Sequence, residues 1–252
     1  MGKILTRNQI ATITRAEKPL SMLGTADYFA PTQHLGYHPE EFSVEAGTLL
    51  CMNFTQESSD GGTTLYDLST GNHHGTITGA TWSTNSVWRE SLEFNGVDNY
   101  IDLGSYENMQ SAALNITLEA WVKINLIQTG GVITFIDTSL IPTFSLSILV
   151  SGSTTYPSFE INNTTTYSDT YDINDGNWHY LAATYNGTAI ALYDQGERIS
   201  STNLHGAINY NGDENMYIGK TGTDIFGGNI AGVRITRRYK PTLALHKYYH
   251  GG

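Results

Sequence analysis

A chain of 252 residues with 26 Gly, 16 Tyr and only 15% charged residues has the composition of a turn-rich β protein, which excludes a helical one. Its formal net charge of −11 would repel phosphate and argues against a nucleic-acid partner, and no apolar run approaches the length needed for membrane insertion. The single cysteine, Cys51, excludes an internal disulfide, and its apolar neighbours in TLLCMNF mark it as a buried thiol.

The first expected element is an arm. Thr6 is placed to cap a short helix by accepting from Gln9, but Pro19, Gly24, Pro31, Gly36 and Pro39 break regular structure beyond it. Leu20, Met22, Leu23, Tyr28, Phe29, Leu35, Tyr37 and Phe42 make this segment too apolar for a free linker. Residues 1–46 are therefore expected to form an extended N-terminal arm ordered by contact, and an anchor to other protein subunits of an assembly (a capsid or tail) suits it. Its two early cations lack the continuous apolar stretch of a secretory signal. Residues 47–252 are expected to be one domain, since a sandwich of this length needs no second core.

Short strands then follow one another closely. Asp67 to Trp82 reads DLSTGNHHGTITGATW and Ser91 to Gly104 reads SLEFNGVDNYIDLG, alternating segments closed by glycine-bearing turns. In ITLEAWVKI the residues Ile116, Leu118, Ala120, Val122 and Ile124 share one apolar face, with Thr117, Glu119, Trp121 and Lys123 opposite. That is the period of a strand with one face on a core. Val132–Asp137, Phe144–Val150, Met216–Gly219 and Ile230–Arg234 supply more strands. Trp178 to Ile199 reads WHYLAATYNGTAIALYDQGERI. Its turns at Tyr185–Thr188 and Asp194–Glu197 place glycine where a tight hairpin needs positive φ, which predicts a three-stranded meander. Many short strands at close spacing indicate an antiparallel sandwich.

The order of these blocks resembles the laminin-G-like, concanavalin-A-like jelly rolls, in the branch related to pentraxins, over about Gly47 to Tyr249. The resemblance implies an all-β, antiparallel jelly-roll β-sandwich closed by a short C-terminal helix over Pro241–Tyr249, with Pro241 near its first turn. It also implies a domain that usually binds and only sometimes catalyses. Members of the family hold calcium through Asp and Asn side chains in rim loops, where a hard cation finds oxygen ligands. Carried over, this makes Asp67, Asn72, Asp98 and Asn99 the candidate ligands of a structural calcium, although no cofactor is required for folding. Asx turns account for the same residue types without metal. The pentraxin double-calcium cluster is not recognisable, so a phosphocholine-type ligand is not carried over. His73 and His74, being adjacent, lie on opposite faces and do not make a zinc pair.

Catalytic patterns are weak. Retaining glycoside hydrolysis needs two carboxylates about 5–5.5 Å apart; Glu119 has no partner acid on its strand, and the Asn95-Gly96 turn separates Glu93 from Asp98. His179 and Tyr180 belong to the family's common Trp-His wording and read as packing residues. There is no Gly-x-Ser-x-Gly elbow or phosphate loop. Glycan binding instead requires exposed aromatic faces beside planar polar groups. The loops Tyr171–Asp175 and Asn209–Asp213 offer that mixture, so Tyr171, Asn174, Tyr210 and Asn211 are the candidate glycan contacts. Asn53, Asn115, Asn162, Asn163 and Asn186 begin Asn-x-Ser/Thr sequons, as an Asn- and Thr-rich strand protein produces by chance. Charge is uneven: residues 1–20 carry a net +3 and those after Asp224 a net +5, leaving −19 on residues 21–224. Two basic ends on an acidic body would form one cationic attachment face. These features predict a non-enzymatic structural or adhesion subunit of a virion, such as a capsid decoration, head-fibre or tail-associated protein, engaging cell-surface glycans. An extracellular lectin-like carbohydrate-binding module is the alternative, and a polysaccharide-active enzyme the third.

Overall fold

The computed structural model describes residues 41–242 and Leu245. The expected cap at Thr6, the arm up to residue 40 and most of the closing helix lie outside these residues. Of that helix, the Leu245 N–H donates to the Pro241 carbonyl at 3.3 Å, the i to i−4 bond of a helical turn.

The described residues form β1 (Thr48–Asn53), β2 (Thr64–Leu65), β3 (Gly75–Thr78), β4 (Thr81–Ser83), β5 (Ser91–Asn95), β6 (Tyr100–Ser105), β7 (Ile116–Ile124), β8 (Gly130–Ile136) and β9 (Pro142–Ser151). They continue as β10 (Thr154–Ile161), β11 (Thr164–Tyr167), β12 (His179–Tyr185), β13 (Ala189–Asp194), β14 (Glu197–Asn203), β15 (Asn215–Ile218), β16 (Lys220–Thr221), β17 (Asp224–Ile225) and β18 (Gly227–Thr236). One eight-stranded sheet has the order β14-β13-β12-β7-β18-β5-β4, with β1 also on β18; the other runs β11-β10-β9-β8-β15-β6-β3-β2. All pairings are antiparallel, and the two sheets stack as a jelly-roll sandwich. The expected meander is β12-β13-β14. Gln195 and Gly196, at φ +52° and +82°, take the left-handed pair of conformations that closes a two-residue hairpin.

The core lies between the sheets. Leu118, Ala120 and Val122 of β7 face Phe144, Leu146 and Ile148 of β9 across it, all fully or nearly fully buried. Burial of one such Leu, Ile or Phe contributes about 1.5–3 kcal/mol. Gly219 has φ +83°, and any Cβ there would meet the Phe94 ring at 2.5 Å. That position therefore requires glycine on two counts.

The opposite face of β7 is not solvated as its polar members would lead one to expect. Glu119 is 0% and Trp121 3% exposed, and Trp121 belongs to a second apolar cluster with Phe42, Cys51, Tyr180, Tyr193 and Leu245. Phe42 is also tied to β1: its N–H donates to Asn53 Oδ1 at 3.0 Å, and Asn53 Nδ2 donates to its carbonyl at 2.9 Å. In this layer Glu119 accepts from Arg234 Nε (2.8 Å) and Nη2 (2.6 Å), Lys240 Nζ (2.7 Å) and the Tyr180 hydroxyl (2.6 Å). Burial alone would raise its pKa, but the two cations outweigh that and bring it down to about 2. The Cys51 thiol is buried and pushed up to about 12 by desolvation.

The rims position everything that follows. Tyr106–Asn115, including a 3-10 turn over Glu107–Ala112, carries the chain from β6 to β7 and so crosses between the sheets. The end that it crosses is here the upper rim; it also holds the end of β8, the start of β9 and the start of β15. The starts of β12 and β10 lie at the lower rim.

Candidate functional site

A cleft of about 240 Å³ opens at the upper rim, lined by Asp137, Ile141, Pro142, Thr143, Asn162, Asn163, Asn209 and Asn211. Three short loops build it. Asn162 and Asn163 form the two-residue turn between β10 and β11, both with positive φ (+50° and +62°), a conformation that Asn tolerates better than most residues. Asn162 then holds the facing loop: its Nδ2 donates to the Ala207 carbonyl at 2.9 Å, and its Oδ1 accepts from the Asn209 N–H at 2.9 Å. The third loop, between β8 and β9, is closed by Asp137 Oδ1, which accepts from the Ser139 and Ile141 N–H groups, both at 2.9 Å. Asn211 Nδ2 donates to Asp137 Oδ2 at 3.0 Å and joins the walls. Asn163, Asn209 and Asn211 are exposed, and Ile141 beside them is 48% exposed.

Thr143 also begins a row of hydroxyls on the outer face of β9, continuing through Ser145 and Ser147. Thr143 Oγ1 donates to Glu214 Oε1 at 3.0 Å, Thr134 Oγ1 lies 3.1 Å from Ser145 Oγ, and Ser145 and Ser147 are hydrogen-bonded to each other. On the same face Tyr156 and Tyr167 stack at 5.5 Å, with Tyr167 48% exposed. Lys220 Nζ sits 4.6 Å and 5.0 Å from the Tyr100 and Tyr217 ring centroids. Burial raises the Glu160 carboxyl on this face.

The structure splits the residues singled out from sequence between the two rims. Of the glycan candidates, Asn211 lines the cleft, and Tyr210 beside it turns inward, its ring 6.0 Å from Phe135 and its hydroxyl buried. Tyr171 and Asn174 lie at the lower rim, the length of β12 away. The Tyr171 hydroxyl donates to Asp194 Oδ2 at 2.9 Å, and the Asn174 N–H donates to Asp172 Oδ1 at 3.0 Å. Asp194 Oδ2 also accepts from His179 Nδ1 at 2.7 Å, while His179 Nε2 faces Asp175 Oδ1 at 3.1 Å.

The four calcium candidates are likewise not brought together. Asp67 and Asn72 precede β3, whereas Asp98 and Asn99 lie at its other end, beside Gly79, whose added Cβ would strike Asn99 Nδ2. Asp67 is buried, and its carboxylate is filled by chain donors. Oδ1 accepts from the Cys51 and Ser69 N–H groups (3.0 and 2.9 Å), and Oδ2 from the Ser69 hydroxyl and the His73 N–H (2.7 and 3.1 Å). Asn72 is exposed at φ +53°. Asp98 Oδ1 accepts from Asn95 Nδ2 at 2.8 Å, and Asn99 Oδ1 from the Asn95 N–H at 3.0 Å, so both close the β5–β6 turn. Among the described residues no group of three or more His, Cys, Asp or Glu is gathered to hold a metal. His73 stacks on Tyr106, and His74 Nδ1 accepts the Asp67 N–H at 3.1 Å, so each imidazole is engaged separately.

Sequence reasoning missed Asp137 and Thr143 as cleft residues, saw Asn162 and Asn163 only as sequons, and met Asn209 only as the first residue of the Asn209–Asp213 loop. The signal that was available is Ile161-Asn-Asn-Thr164, two residues suited to positive φ between strand segments.

Two stacked antiparallel sheets with the rim loops and grooves described above define a lectin-like jelly roll. The profile of the laminin-G-type family described as the concanavalin A-like lectin/glucanases superfamily matches residues 95–240, and the chain belongs to that family. No curated protein sequence matches it significantly. Among solved structures it is similar to domain 4 of an extracellular arabinanase from Geobacillus stearothermophilus, in complex with arabinotriose, at 17% identity and TM-score 0.61 over 82% of this chain and 100% of that one. It is also similar to the binding domain of botulinum neurotoxin DC in complex with SialylT (12% identity, TM-score 0.57, 82% of this chain and 52% of that one). A sialidase from Trypanosoma rangeli in complex with sialic acid gives 13% identity and TM-score 0.60 over 82% of this chain and 33% of that one. The chain thus spans the whole arabinanase domain but about half of the toxin chain and a third of the sialidase. At these identities the likeness is one of fold.

Proposed function

We propose that this chain is a non-catalytic, sugar-binding jelly roll that serves as an adhesion subunit of a virion, as a capsid decoration, head-fibre or tail-associated protein. One observation carries the sugar-binding part: the amide-lined cleft, with three exposed Asn side chains beside a half-exposed Ile. A carboxamide offers two donors and two lone pairs in one plane, which suits paired sugar hydroxyls, and a small concave site with a few placed polar groups is the usual form of a ligand site. Support also comes from the arabinotriose in the arabinanase domain and the SialylT in the toxin domain. The non-catalytic part is supported by the way the enclosed titratable groups are committed. Glu119 is held by two cations and a tyrosine, and both His179 nitrogens face carboxylates.

Screening the purified protein against neutral oligosaccharides, followed by calorimetry on Asn163→Ala and Asn209→Ala, tests the reading. Each variant is expected to weaken binding about tenfold, the loss of one net hydrogen bond to ligand. Wild-type protein that binds no oligosaccharide, or variants that bind as wild type, would overturn it. The likeness to a domain of an extracellular arabinanase favours a second reading, a secreted or surface lectin-like module using the same cleft. Immunogold labelling decides between them: label on particles supports the virion subunit, and protein found only free in the medium supports the secreted module.

A further inference from the structure

A second and larger cleft, about 470 Å³, also lies at the upper rim, between the start of β1, the end of β18 and the crossing segment. Ala113 of that segment accepts from the Ile208 N–H at 2.8 Å, next to Asn209 of the amide cleft. The lining mixes hydroxyl, amide and backbone groups with the apolar side chains of Val44, Ala46 and Leu49, and carries two charged residues, Glu45 and Arg237. Glu45 is committed to cations, Lys240 Nζ and, at 3.8 Å, Arg234 Nη1. Arg237 is different. It is exposed, and its backbone N–H donates to the Gly47 carbonyl at 2.9 Å, which fixes where its side chain starts. Gly47, at φ +88°, lies against both the Arg237 and Arg238 side chains: an added Cβ would meet Arg238 Nε at 3.2 Å and Arg237 Cγ at 3.4 Å. Two exposed guanidinium side chains thus flank one bare backbone position, with Thr70, Asn108 and Ser111 exposed around the same cleft.

We infer that this cleft binds the carboxylate of an acidic sugar, with Arg237 as its anchor and Arg238 reinforcing the field. This rests on the sugar-binding reading above and narrows it to glycans that carry uronic or similar acids. The charge distribution favours the assignment. Residues 21–224 carry 23 acids against four cations, so an anionic ligand is repelled by the body and drawn to this corner. Arginine presents a planar fork that meets a carboxylate with two parallel hydrogen bonds, stronger than neutral ones. The exposed hydroxyls and amide of Thr70, Ser111 and Asn108 are suited to the ring hydroxyls that flank such an acid.

The test compares an oligouronate trisaccharide with its carboxyl-reduced, neutral counterpart by calorimetry, using wild-type protein, Arg237→Gln and, as a control on β14, Arg198→Gln. Wild type is expected to prefer the acid at least tenfold. Arg237→Gln should lose that preference with an unchanged thermal melt, and Arg198→Gln should keep it. Equal binding of the two sugars by wild type, or a preference that survives Arg237→Gln, would overturn this inference while leaving the sugar-binding reading intact. Binding of neither sugar would overturn this inference, and the screen against neutral oligosaccharides then decides the sugar-binding reading on its own. Inorganic sulfate bound in an Arg237-dependent way, with no preference for the uronate, would make this a small-anion site and would also overturn the assignment to a glycan.

Discussion

Asp67, a candidate calcium ligand by residue type, has donors of its own chain on both carboxylate oxygens. Its carboxylate accepts three backbone N–H groups and one hydroxyl, so it closes its loop through the chain alone. Asp67→Ala leaves those donors buried without an acceptor, and the melt is expected to fall by about 3 kcal/mol, equally in calcium and in chelator. A wild-type melt raised by calcium, with the rise abolished in Asp67→Ala, would restore the metal reading. The sequence shows an Asx-turn residue in DLSTGN, but not that Cys51, 16 positions earlier, supplies a donor. That partner is a product of strand pairing. His179 gives a second residue-scale prediction. Burial lowers its pKa, but the hydrogen bond to Asp194 and then the Asp175 carboxylate outweigh burial, so the net shift is upward. A raised folded pKa stabilises the fold below the unfolded value of about 6.5, and that stability is lost as pH rises through the folded value. Melts from pH 6 to 8.5 should therefore decline in wild type and run flatter in His179→Gln; parallel curves would remove His179 from the account.

At the scale of elements, β7 divides what was legible from what was not. Alternation gives its inner face directly, and those residues are the core. The same alternation puts Glu119 and Trp121 on the other face, where Trp121 is expected to pack and is 3% exposed, in one cluster with Phe42 and Leu245, far off in the chain. No local pattern encodes a lid supplied by distant segments. Trp121→Ala should cost about 3–5 kcal/mol, as for a buried aromatic. Trp178→Ala should cost less, since Trp178 is only partly buried and its indole N–H donates at 3.4 Å to Asn85. Chemical denaturation of the two variants measures the difference; Trp121→Ala at wild-type stability would mean that the covering layer contributes nothing. The amide cleft was legible only in pieces. Each of its turns is visible as a turn, but the three loops meet only once β10, β8 and β15 have been ordered in one sheet.

For the whole molecule, the family and the sandwich follow from sequence because strand period, turn glycines and block order all agree. The boundary of the folded unit is a finer matter. Phe42 is bonded to Asn53 and buried with Cys51 and Tyr180, so a protein starting at residue 47 should be less stable than one starting at residue 41 by about 3 kcal/mol or more, the cost of losing a buried Phe. Equal melts for the two truncations would place the domain's edge at Gly47. Phe42 and Leu245 belong to the same cluster, on the outer side of the β7 sheet, whereas the hydroxyl row occupies the outer side of the other sheet. Anything joined to the domain through these two segments is therefore fastened at its back. The opposite face, where Tyr167 is exposed and the hydroxyls of Thr143, Ser145 and Ser147 are buried, is left clear of both segments, so copies mounted side by side through them would each turn that face the same way and add their contacts together.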